Sequence, residues 1–535
     1  MKKLIQPTIS TLFMGMTAAV SFYTPSAEAQ FKPFLGYFKT SEKPTPVVKP
    51  MQPAAAQVAA PTAQPSVAQP KLERVKALAM ALKEQGLMYS LYLNPVIEAD
   101  LQNMVAANNL ALLEPTLTTL VNRMTSDLSR GRVLPTSLPD KAAIKVKPFA
   151  YQAAATNYLN GLMTLEQLMA SVTPHNSVYA EALSVLKTIK DLKDQNKWTV
   201  KPAGLVLVTL KKGLVNPAVI AYGRMQLANM GYWNNTASTV ADADLDTAIK
   251  NFQADNGLTP DGFGGANTWK LLDKSVDQLM TQAMLNLDRT RWLPDQNSAE
   301  YIYINLARQT FQYFENDQET LSFHTVNGRV DRQTPMMVDV AREVVLNPTW
   351  TVPRNLFIKD KLPKLRLNPG FIGELHAKLF SDVTNLEVDP YTVDWNQDPS
   401  LLPYTIVQTP GPWNALGRIK FPLTNAFSIY MHDTNERNLF VETDRLRSSG
   451  CMRLERPFDV GAKLLKGTSW TAEALMNATE LAPVQAEVPT SLSLKRSVPV
   501  YVAYKTLSLS GTKLISTDDS YGVDAAMYTL MFSGI

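Results

Sequence analysis

The spacing of apolar residues changes along the chain and divides its 535 residues into regions. From residue 71 to about 215, leucines and valines recur at intervals near 3.6, as on one face of a helix. Between about 216 and 275, helical patterns alternate with glycine turns. After residue 294 the period falls to two, which is typical of β-strands. The pattern predicts a multidomain α+β protein with a helical scaffold, a small three-helix module and a mainly β domain.

The β domain is expected to run from about 290 to 480. Helix-like and proline-rich pieces interrupt its strands between about 362 and 402. An insertion of this length near a site is expected to act as a lid. Residues 481–535 form a C-terminal extension in which a strand-like stretch and a short helix are expected to pack on the body.

Residues 1–29 have the order of a secretory signal peptide. Two lysines precede an apolar run over about 9–23, and Ala27 and Ala29 supply the small residues of a cleavage site. The alternative is an uncleaved segment that tethers the protein to a membrane. The apolar run is shorter than the roughly 20 residues that a spanning helix needs. Its length therefore favours cleavage and an exported protein.

Residues 30–70 contain a run rich in proline, alanine, glutamine and valine. Such a composition offers little to bury, so it predicts an extended, disordered linker. The net charge of +4 is small for 535 residues, and no block of lysine and arginine dominates any region. The chain therefore lacks the basic footprint of a nucleic-acid-binding protein.

Cys451 is the only cysteine in the sequence, so it can form no intramolecular disulfide. An unpaired thiol is a liability in an oxidising compartment unless its reactivity is used, although an inert buried thiol is the alternative. The histidines are scattered and give no metal-ligand spacing, so we expect no metal and no cofactor. Three of them, His175, His324 and His376, have no evident chemical partner in sequence and are expected to be structural or solvated.

The imidazole of His432 is expected at the end of a β-strand. Ser428, Tyr430 and His432 alternate with apolar residues, which also places Tyr430 on the same face of the sheet. A nearby imidazole can take the proton of a thiol, hold the pair charged and later deliver the proton to a leaving amine. We interpret Cys451 as the nucleophile and His432 as its base. Either a backbone carbonyl or the side chain of Asp433 would orient the ring.

Further candidates surround this pair. Gly450 allows a tight backbone before the thiol, so consecutive amides from Gly450 to Met452 are candidates to face an oxyanion. Tyr430 is a candidate to donate to the same oxyanion or simply to pack. Arg453 is a candidate to pair with a substrate carboxylate, with an ordinary structural arginine as the alternative.

Residues 217–272 resemble the small peptidoglycan-binding module of type 1. The residues that carry the resemblance are Leu227, Gly231, Tyr232, Ala248, Phe252, Gln253, Gly257, Leu258, Asp261, Gly262, Gly265 and Thr268. They mainly specify core and turns, so the resemblance implies the fold of residues 216–275 more strongly than glycan binding.

The stretch 428–454 resembles the signature of the L,D-transpeptidase family with its YkuD-type catalytic domain. The likeness is to its large Gram-negative branch, which has a helical scaffold and an inserted wall-binding module. Supporting segments are DRQTP at 331–335, NPTWTVP at 347–353 and GPWNALGR at 411–418. Family members often have a histidine just before the glycine, where this chain has Ser449. This departure removes one candidate orienter or oxyanion contact.

The resemblance implies a periplasmic cysteine acyltransferase of peptidoglycan biosynthesis that serves cell wall organisation and cell shape. Cys451 would attack the diaminopimelate carbonyl before a terminal D-Ala and form a thioester as D-Ala leaves. An amine of a neighbouring stem would then resolve the thioester and give a 3-3 crosslink. Arg453 matches a family position near the site.

The same resemblance implies stem peptides and glycan as partners and carbapenem β-lactams as inhibitors. An L,D-carboxypeptidase would use the same pair with water as acceptor. A catalytically silent wall-binding scaffold is the alternative from another class. The sequence leaves open whether the acceptor is a stem peptide, a lipoprotein lysine or a free D-amino acid.

Overall fold

A computed structural model of the chain describes residues 68–234, 238–294, 298–480 and 489–533. The predicted signal peptide and residues 30–67 of the predicted linker lie outside the described residues. All described residues belong to one compact unit, Gln64–Ile535. No helix within the described ranges combines the length and the apolarity needed to cross a membrane.

The N-terminal scaffold is helical, as predicted. Its α-helices are α1 (Ala68–Lys83), α2 (Pro95–Ala106), α3 (Leu110–Arg130), α4 (Gln152–Leu159), α5 (Leu165–Val172) and α6 (Ser177–Asp194). Asn94 caps α2 by accepting from the amides of Val96 and Ile97, and Thr164 forms a capping box with Gln167 at α5. Leucines spaced along α1 and α3 form one core with residues from α4 and α5.

A three-helix module follows, also as predicted. It consists of α7 (Pro217–Asn229), α8 (Ala243–Asp255) and α9 (Ala266–Leu272). Asn216 and Asp242 cap the first two helices through their side-chain oxygens. The core of the module includes Phe252 and Trp269 and continues into the apolar face of α6. The last scaffold helix therefore packs with the module.

Helix α10 (Val276–Thr290) leads from the module into the β domain. A fully buried ion pair holds its end, with Arg291 Nη1 donating to Asp288 Oδ1 at 3.2 Å. Asp288 also accepts from the amides of Arg132 and Val133, and Arg291 Nε donates to the carbonyl of Leu128. Because both charges are hydrogen-bonded on several sides, these bonds offset the free-energy cost of removing the charges from water. The pair joins scaffold and β domain.

Most strands of the described structure belong to the β domain. The strands are β1 (Glu300–Asn305), β2 (Thr310–Glu315), β3 (Gln318–Gly328), β4 (Met337–Leu346), β5 (Trp350–Thr351), β6 (Ala377–Ser381), β7 (Tyr404–Gln408), β8 (Ile419–Phe421), β9 (Met431–His432), β10 (Leu446–Ser448), β11 (Met452–Leu454), β12 (Thr490–Ala503), β13 (Leu507–Ser510) and β14 (Lys513–Ser516). The main sheet has the order β10-β3-β11-β9-β8-β4-β12-β1-β2. It closes on itself because β2 also pairs with β3.

The C-terminal segment does more than pack on the body. Strand β12 lies inside the main sheet, antiparallel to β4 and parallel to β1. Val500 and Val502 on β12 are fully buried in the main core. Helix α16 (Val523–Phe532) then buries Val523 and Met527 in the same core. Strand β12 and helix α16 therefore complete the β domain, whereas the β13–β14 hairpin buries Leu507 and Leu514 in the core of the three-helix module.

The insertion is longer than residues 362–402. It contains α11 (Arg354–Leu356), a π-helical turn (Phe357–Lys361), α12 (Leu362–Leu367), α13 (Phe371–Glu374) and the small sheet β5-β7-β6. Its own apolar cluster extends from Val352 to Ile406. The hydrophobic pattern did not predict the small sheet, because helical pieces separate its strands along the chain. Beyond the insertion, α14 (Pro457–Leu464) and α15 (Ala472–Glu480) complete the elements.

Candidate active site

A cavity of about 700 Å³ lies between the insertion and the main sheet. Most of the predicted site residues line it, namely Tyr430, His432, Ser449, Cys451 and Arg453. Gly450 and Asp433 are not among its lining residues. The cavity therefore brings the predicted nucleophile and the predicted base to one wall.

Parallel pairing of β9 and β11 sets the position of the two groups. Met452 pairs with Met431 and Arg453 with His432, and both methionines are fully buried in the main core. Cys451 directly precedes Met452, so the buried methionine anchors the segment that carries the thiol. The alternation of side chains then directs His432 and Arg453 away from the core.

Gly450 adopts a φ of +124°, a conformation that residues with a Cβ rarely take. Its carbonyl accepts from Thr334 Oγ1 at 2.7 Å, and its amide donates to Ser448 Oγ at 3.1 Å. Ser448 Oγ in turn donates to the carbonyl of Cys451 at 2.6 Å. These bonds hold the turn before the thiol in one shape.

A backbone carbonyl orients the imidazole of His432. The ring is 4% exposed, and its Nδ1 is hydrogen-bonded to the main-chain oxygen of Asp433. Because a carbonyl can only accept, Nδ1 carries the proton of the neutral ring, and Nε2 is left as its proton acceptor. The Asp433 carboxylate is held elsewhere, by the amide of Arg418 at 3.0 Å and Arg437 Nη1 at 2.8 Å.

The environment favours a neutral His432. Burial, together with the positive charges of Arg453 and Lys420, lowers the pKa of His432 to about 3. The carbonyls of Asp433 and Leu416 act in the opposite direction and do not compensate. The ring is therefore unprotonated near neutral pH, as a general base must be.

The environment also favours a neutral thiol at Cys451. Burial raises its pKa, against contacts with the amide and hydroxyl of Tyr430 and the charges of Lys420 and Arg453. Sγ donates to the carbonyl of Ser428 at 3.7 Å, and within the described residues no hydrogen bond joins it to His432. The two pKa shifts therefore favour a neutral thiol and a neutral imidazole over the charged pair expected from the sequence. Desolvation disfavours both charges.

Two of the amides expected to face an oxyanion are already engaged. The Gly450 amide donates to Ser448 Oγ, and the Met452 amide donates to the carbonyl of Tyr430 at 3.0 Å. An amide that already donates within the fold is a poor additional oxyanion donor. The hydroxyl of Tyr430, which contacts the thiol, is a better placed donor.

Two arginines near Cys451 form ion pairs with carboxylates. Arg332 Nη1 donates to Ser449 Oγ at 3.2 Å and to Asp360 Oδ2 at 2.6 Å, and Arg332 Nη2 donates to Asp360 Oδ1 at 2.8 Å. Asp360 belongs to the insertion, so Arg332 connects the insertion to the residue before Gly450. Arg453 is hydrogen-bonded to Glu436, which also lines the cavity.

One of the histidines assigned a structural role lies in the cavity. His376 stacks on Trp413 with ring centroids 4.3 Å apart, and both residues line the cavity wall. Glu436 lines the same cavity. His324 is half exposed, 4.0 Å from Glu455, and is not a lining residue, and His175 is exposed. Within the described residues, no cluster of side chains could hold a metal ion.

Sequence reasoning missed Lys420 on β8. It pairs with His432 on β9, and its Nζ lies 4.0 Å from the ring centroid of Tyr430. A signal was available, because a lysine between the buried residues Ile419 and Phe421 must face away from the core.

Three regions of the chain match protein families. Residues 299–476 match the YkuD L,D-transpeptidase catalytic domain, residues 220–272 match a putative peptidoglycan binding domain, and residues 64–186 match a scaffold domain. The first match contains both Cys451 and His432.

A curated protein of Haemophilus influenzae strain Rd, named putative L,D-transpeptidase, is 33% identical over 251 residues. The alignment covers 47% of this chain and 50% of the relative. The chain therefore spans about half the length of the curated relative that it matches.

Solved structures of similar proteins are more distant. An L,D-transpeptidase (Yku) from Stackebrandtia nassauensis is 11% identical, with a TM-score of 0.22 over 57% of this chain and 97% of the other. The Ldtfm-avibactam carbamoyl enzyme is 12% identical, with a TM-score of 0.19 over 39% of this chain and 51% of the other. TM-scores this low do not establish a shared overall fold.

The family matches agree with the architecture and with the cavity. The domain match over 299–476 covers the strands that carry Cys451 and His432, and the match over 220–272 covers the three-helix module. The predicted resemblance is thereby confirmed. The chain combines a YkuD L,D-transpeptidase catalytic domain over 299–476 with a putative peptidoglycan binding domain and a scaffold domain, and it is similar to a curated putative L,D-transpeptidase.

Proposed function

We propose that this protein is an L,D-transpeptidase that forms 3-3 crosslinks between peptidoglycan stem peptides through a thioester on Cys451. The observation that carries the proposal is the shared cavity of Cys451 and His432, in which Nδ1 of the ring is fixed and Nε2 is available to accept a proton. The catalytic-domain match over 299–476 supports the same reaction class.

In the first step the Cys451 thiol attacks the carbonyl of diaminopimelate that precedes the terminal D-Ala. His432 takes the thiol proton, and an S–C bond forms. The tetrahedral intermediate then collapses, the C–N bond to D-Ala breaks, and His432 returns the proton to the departing amine. The products are free D-Ala and a thioester on Cys451.

In the second step an amine of a neighbouring diaminopimelate attacks the thioester carbonyl. A C–N bond forms, the C–S bond breaks, and the amine proton passes through His432 to the departing sulfur. Thiol and neutral imidazole are thus restored. Water as the acceptor would give a shortened stem peptide and an L,D-carboxypeptidase.

The electrostatics of the site favour proton transfer during attack over a standing ion pair. The raised pKa of Cys451 and the lowered pKa of His432 keep both groups neutral before substrate arrives. Lys420 and Arg453 carry positive charge toward the sulfur, so they stabilise the thiolate as it develops.

The proposed location is the periplasm, which rests on the signal peptide predicted at 1–29. Peptidoglycan is the proposed partner of residues 220–272, since they match a putative peptidoglycan binding domain. We further propose that carbapenems acylate Cys451, because a strained β-lactam carbonyl is open to the same thiol attack.

The test is mass spectrometry of muropeptides formed from a purified disaccharide-tetrapeptide. We expect a crosslinked dimer with release of D-Ala, absent with Cys451→Ala and reduced by at least about 10²-fold with His432→Ala. His324→Ala is the control, because His324 is half exposed and does not line the cavity. A shortened monomer alone would identify a carboxypeptidase. If neither product nor carbapenem adduct forms, the enzyme proposal is refuted and a wall-binding scaffold is the remaining function.

A further inference from the structure

Lys420 is a partly buried cation, and within the described residues its ammonium forms no salt bridge, although Glu343 attracts it from a distance. Burial lowers its pKa, so holding the charge there is unfavourable unless it serves a purpose. Lysine is rarely buried without a partner. The position therefore calls for a functional account.

The neighbours of Lys420 belong to the reaction. It is directly opposite His432 in the β8–β9 pairing, so both side chains stand on one face of the sheet. Its Nζ lies 4.0 Å from the centroid of the Tyr430 ring. Tyr430 in turn makes a T-shaped contact with His432, with centroids 5.6 Å apart, and its hydroxyl contacts Cys451. Lysine, tyrosine, imidazole and thiol thus form one contiguous group.

Charges around this group come from several strands. On β4, Glu343 attracts the ammonium, and Cys451 attracts it when ionised. Arg453 on β11 also acts on the thiol, while its guanidinium is hydrogen-bonded to Glu436. Arg453 is therefore partly neutralised. Lys420 is left as the cation without its own hydrogen-bonded anion.

We propose that Lys420 is a positioning residue that stabilises the Cys451 thiolate by charge, and that it fixes the Tyr430 ring so that the hydroxyl points at the sulfur. This proposal depends on the proposed function only because both take Cys451 as the nucleophile. Lys420 disfavours protonation of His432 and favours ionisation of the thiol, so one ammonium prepares both partners for proton transfer.

The experiment measures alkylation of the full chain by iodoacetamide from pH 6 to 10, which reports the thiolate without any wall substrate. Lys420→Met is expected to move the profile to higher pH and slow alkylation at pH 7.5 by roughly three- to tenfold. Lys420→Arg keeps the charge and is expected to stay within about twofold of wild type.

Lys361→Met is the matched control. Lys361 lines the same cavity and lies 5.5 Å from the centroid of the Trp350 ring, but it interacts with Lys364 and Asp360 and not with the thiol. The pH profile of Cys451 alkylation in Lys361→Met is expected to match that of wild type. Thermal melting is recorded for every variant, and Lys420→Gln replaces Lys420→Met if the latter is not folded.

A Lys420→Met profile that superimposes on wild type would overturn the inference. So would an arginine variant as impaired as the methionine variant, or an equal effect of Lys361→Met. A shifted alkylation profile without crosslinked product would instead leave the inference intact and refute the proposed transpeptidation.

Discussion

The bond between Arg332 and Asp360 offers a direct test of how the insertion is held over the site. The two side chains form a bidentate pair with N–O distances of 2.6 and 2.8 Å, and Arg332 also reaches Ser449. Asp360→Asn keeps the shape of the side chain and removes its charge. The variant therefore weakens the link between the insertion and the nucleophile segment without leaving a cavity.

The magnitude follows from geometry and exposure. Bidentate guanidinium–carboxylate pairs are the stronger kind of hydrogen bond, but the Asp360 side chain is 37% exposed, so solvent screens the charge. We therefore expect a coupling of about 1 kcal/mol between the two side chains. If the pair exists only when the insertion is closed, its loss raises the open population by about fivefold.

Hydrogen exchange followed by mass spectrometry measures this population. Amides of residues 354–367 are expected to exchange about fivefold faster in Asp360→Asn, and a cycle with Arg332→Gln gives the coupling. Asp331→Asn is the control, because the Arg329–Asp331 pair lies on the same turn and does not involve the insertion. Exchange equal to wild type in Asp360→Asn, or purely additive effects in the cycle, would refute the reasoning.

Two further predictions concern the nucleophile and the base. In Gly450→Ala the new Cβ has room, since its nearest neighbour is Ile429 Cδ1 at 4.0 Å, but the φ of +124° is strained for alanine. We therefore expect the free energy of unfolding to fall by roughly 1–3 kcal/mol and the alkylation of Cys451 to slow. Unchanged stability would contradict the strain argument. His432 is buried in its neutral form, with a pKa of about 3 against an ordinary value of 6.5. The unfolded chain therefore binds a proton that the folded chain does not, and the free energy of unfolding falls by about 1.4 kcal/mol per pH unit between pH 6.5 and 3. Unfolding free energies of His432→Gln should fall less steeply than wild type between pH 6 and 4, and parallel curves would show that His432 is not the group responsible.

The fold class and the shared location of Cys451 and His432 could be predicted because each depends on local sequence. The change of apolar period from 3.6 to two separates helices from strands without knowledge of their contacts. His432 at a strand end and Cys451 after a glycine lie close together along the chain, so two short strands suffice to join them. Tyr430 on the face of His432 followed from the same alternation.

What the sequence could not predict depends on pairing between distant segments. Strand β12 enters the sheet between β4 and β1, and no local pattern identifies its neighbours. Arg332 belongs to a segment noted for its resemblance, yet its partner Asp360 lies in the insertion, and only the folded insertion joins them. Whether the carbonyl or the carboxylate of Asp433 orients the His432 ring depends on small differences in atomic position, which the periodicity of the sequence does not determine.

A neutral resting state would suit a lone thiol in the oxidising compartment that we propose for this protein. Because the thiolate is the form that oxidises and alkylates, a raised pKa protects Cys451 while no substrate is bound. The same burial would suppress catalysis if nothing offset it when the proton moves to His432. In the proposed reaction Lys420 and Arg453 provide that offset. Their charges stabilise the thiolate and disfavour the imidazolium, so His432 would return the proton readily to the leaving amine. Protection before binding and reactivity after it would therefore both follow from one arrangement of charges around the buried His432 and the partly buried Cys451.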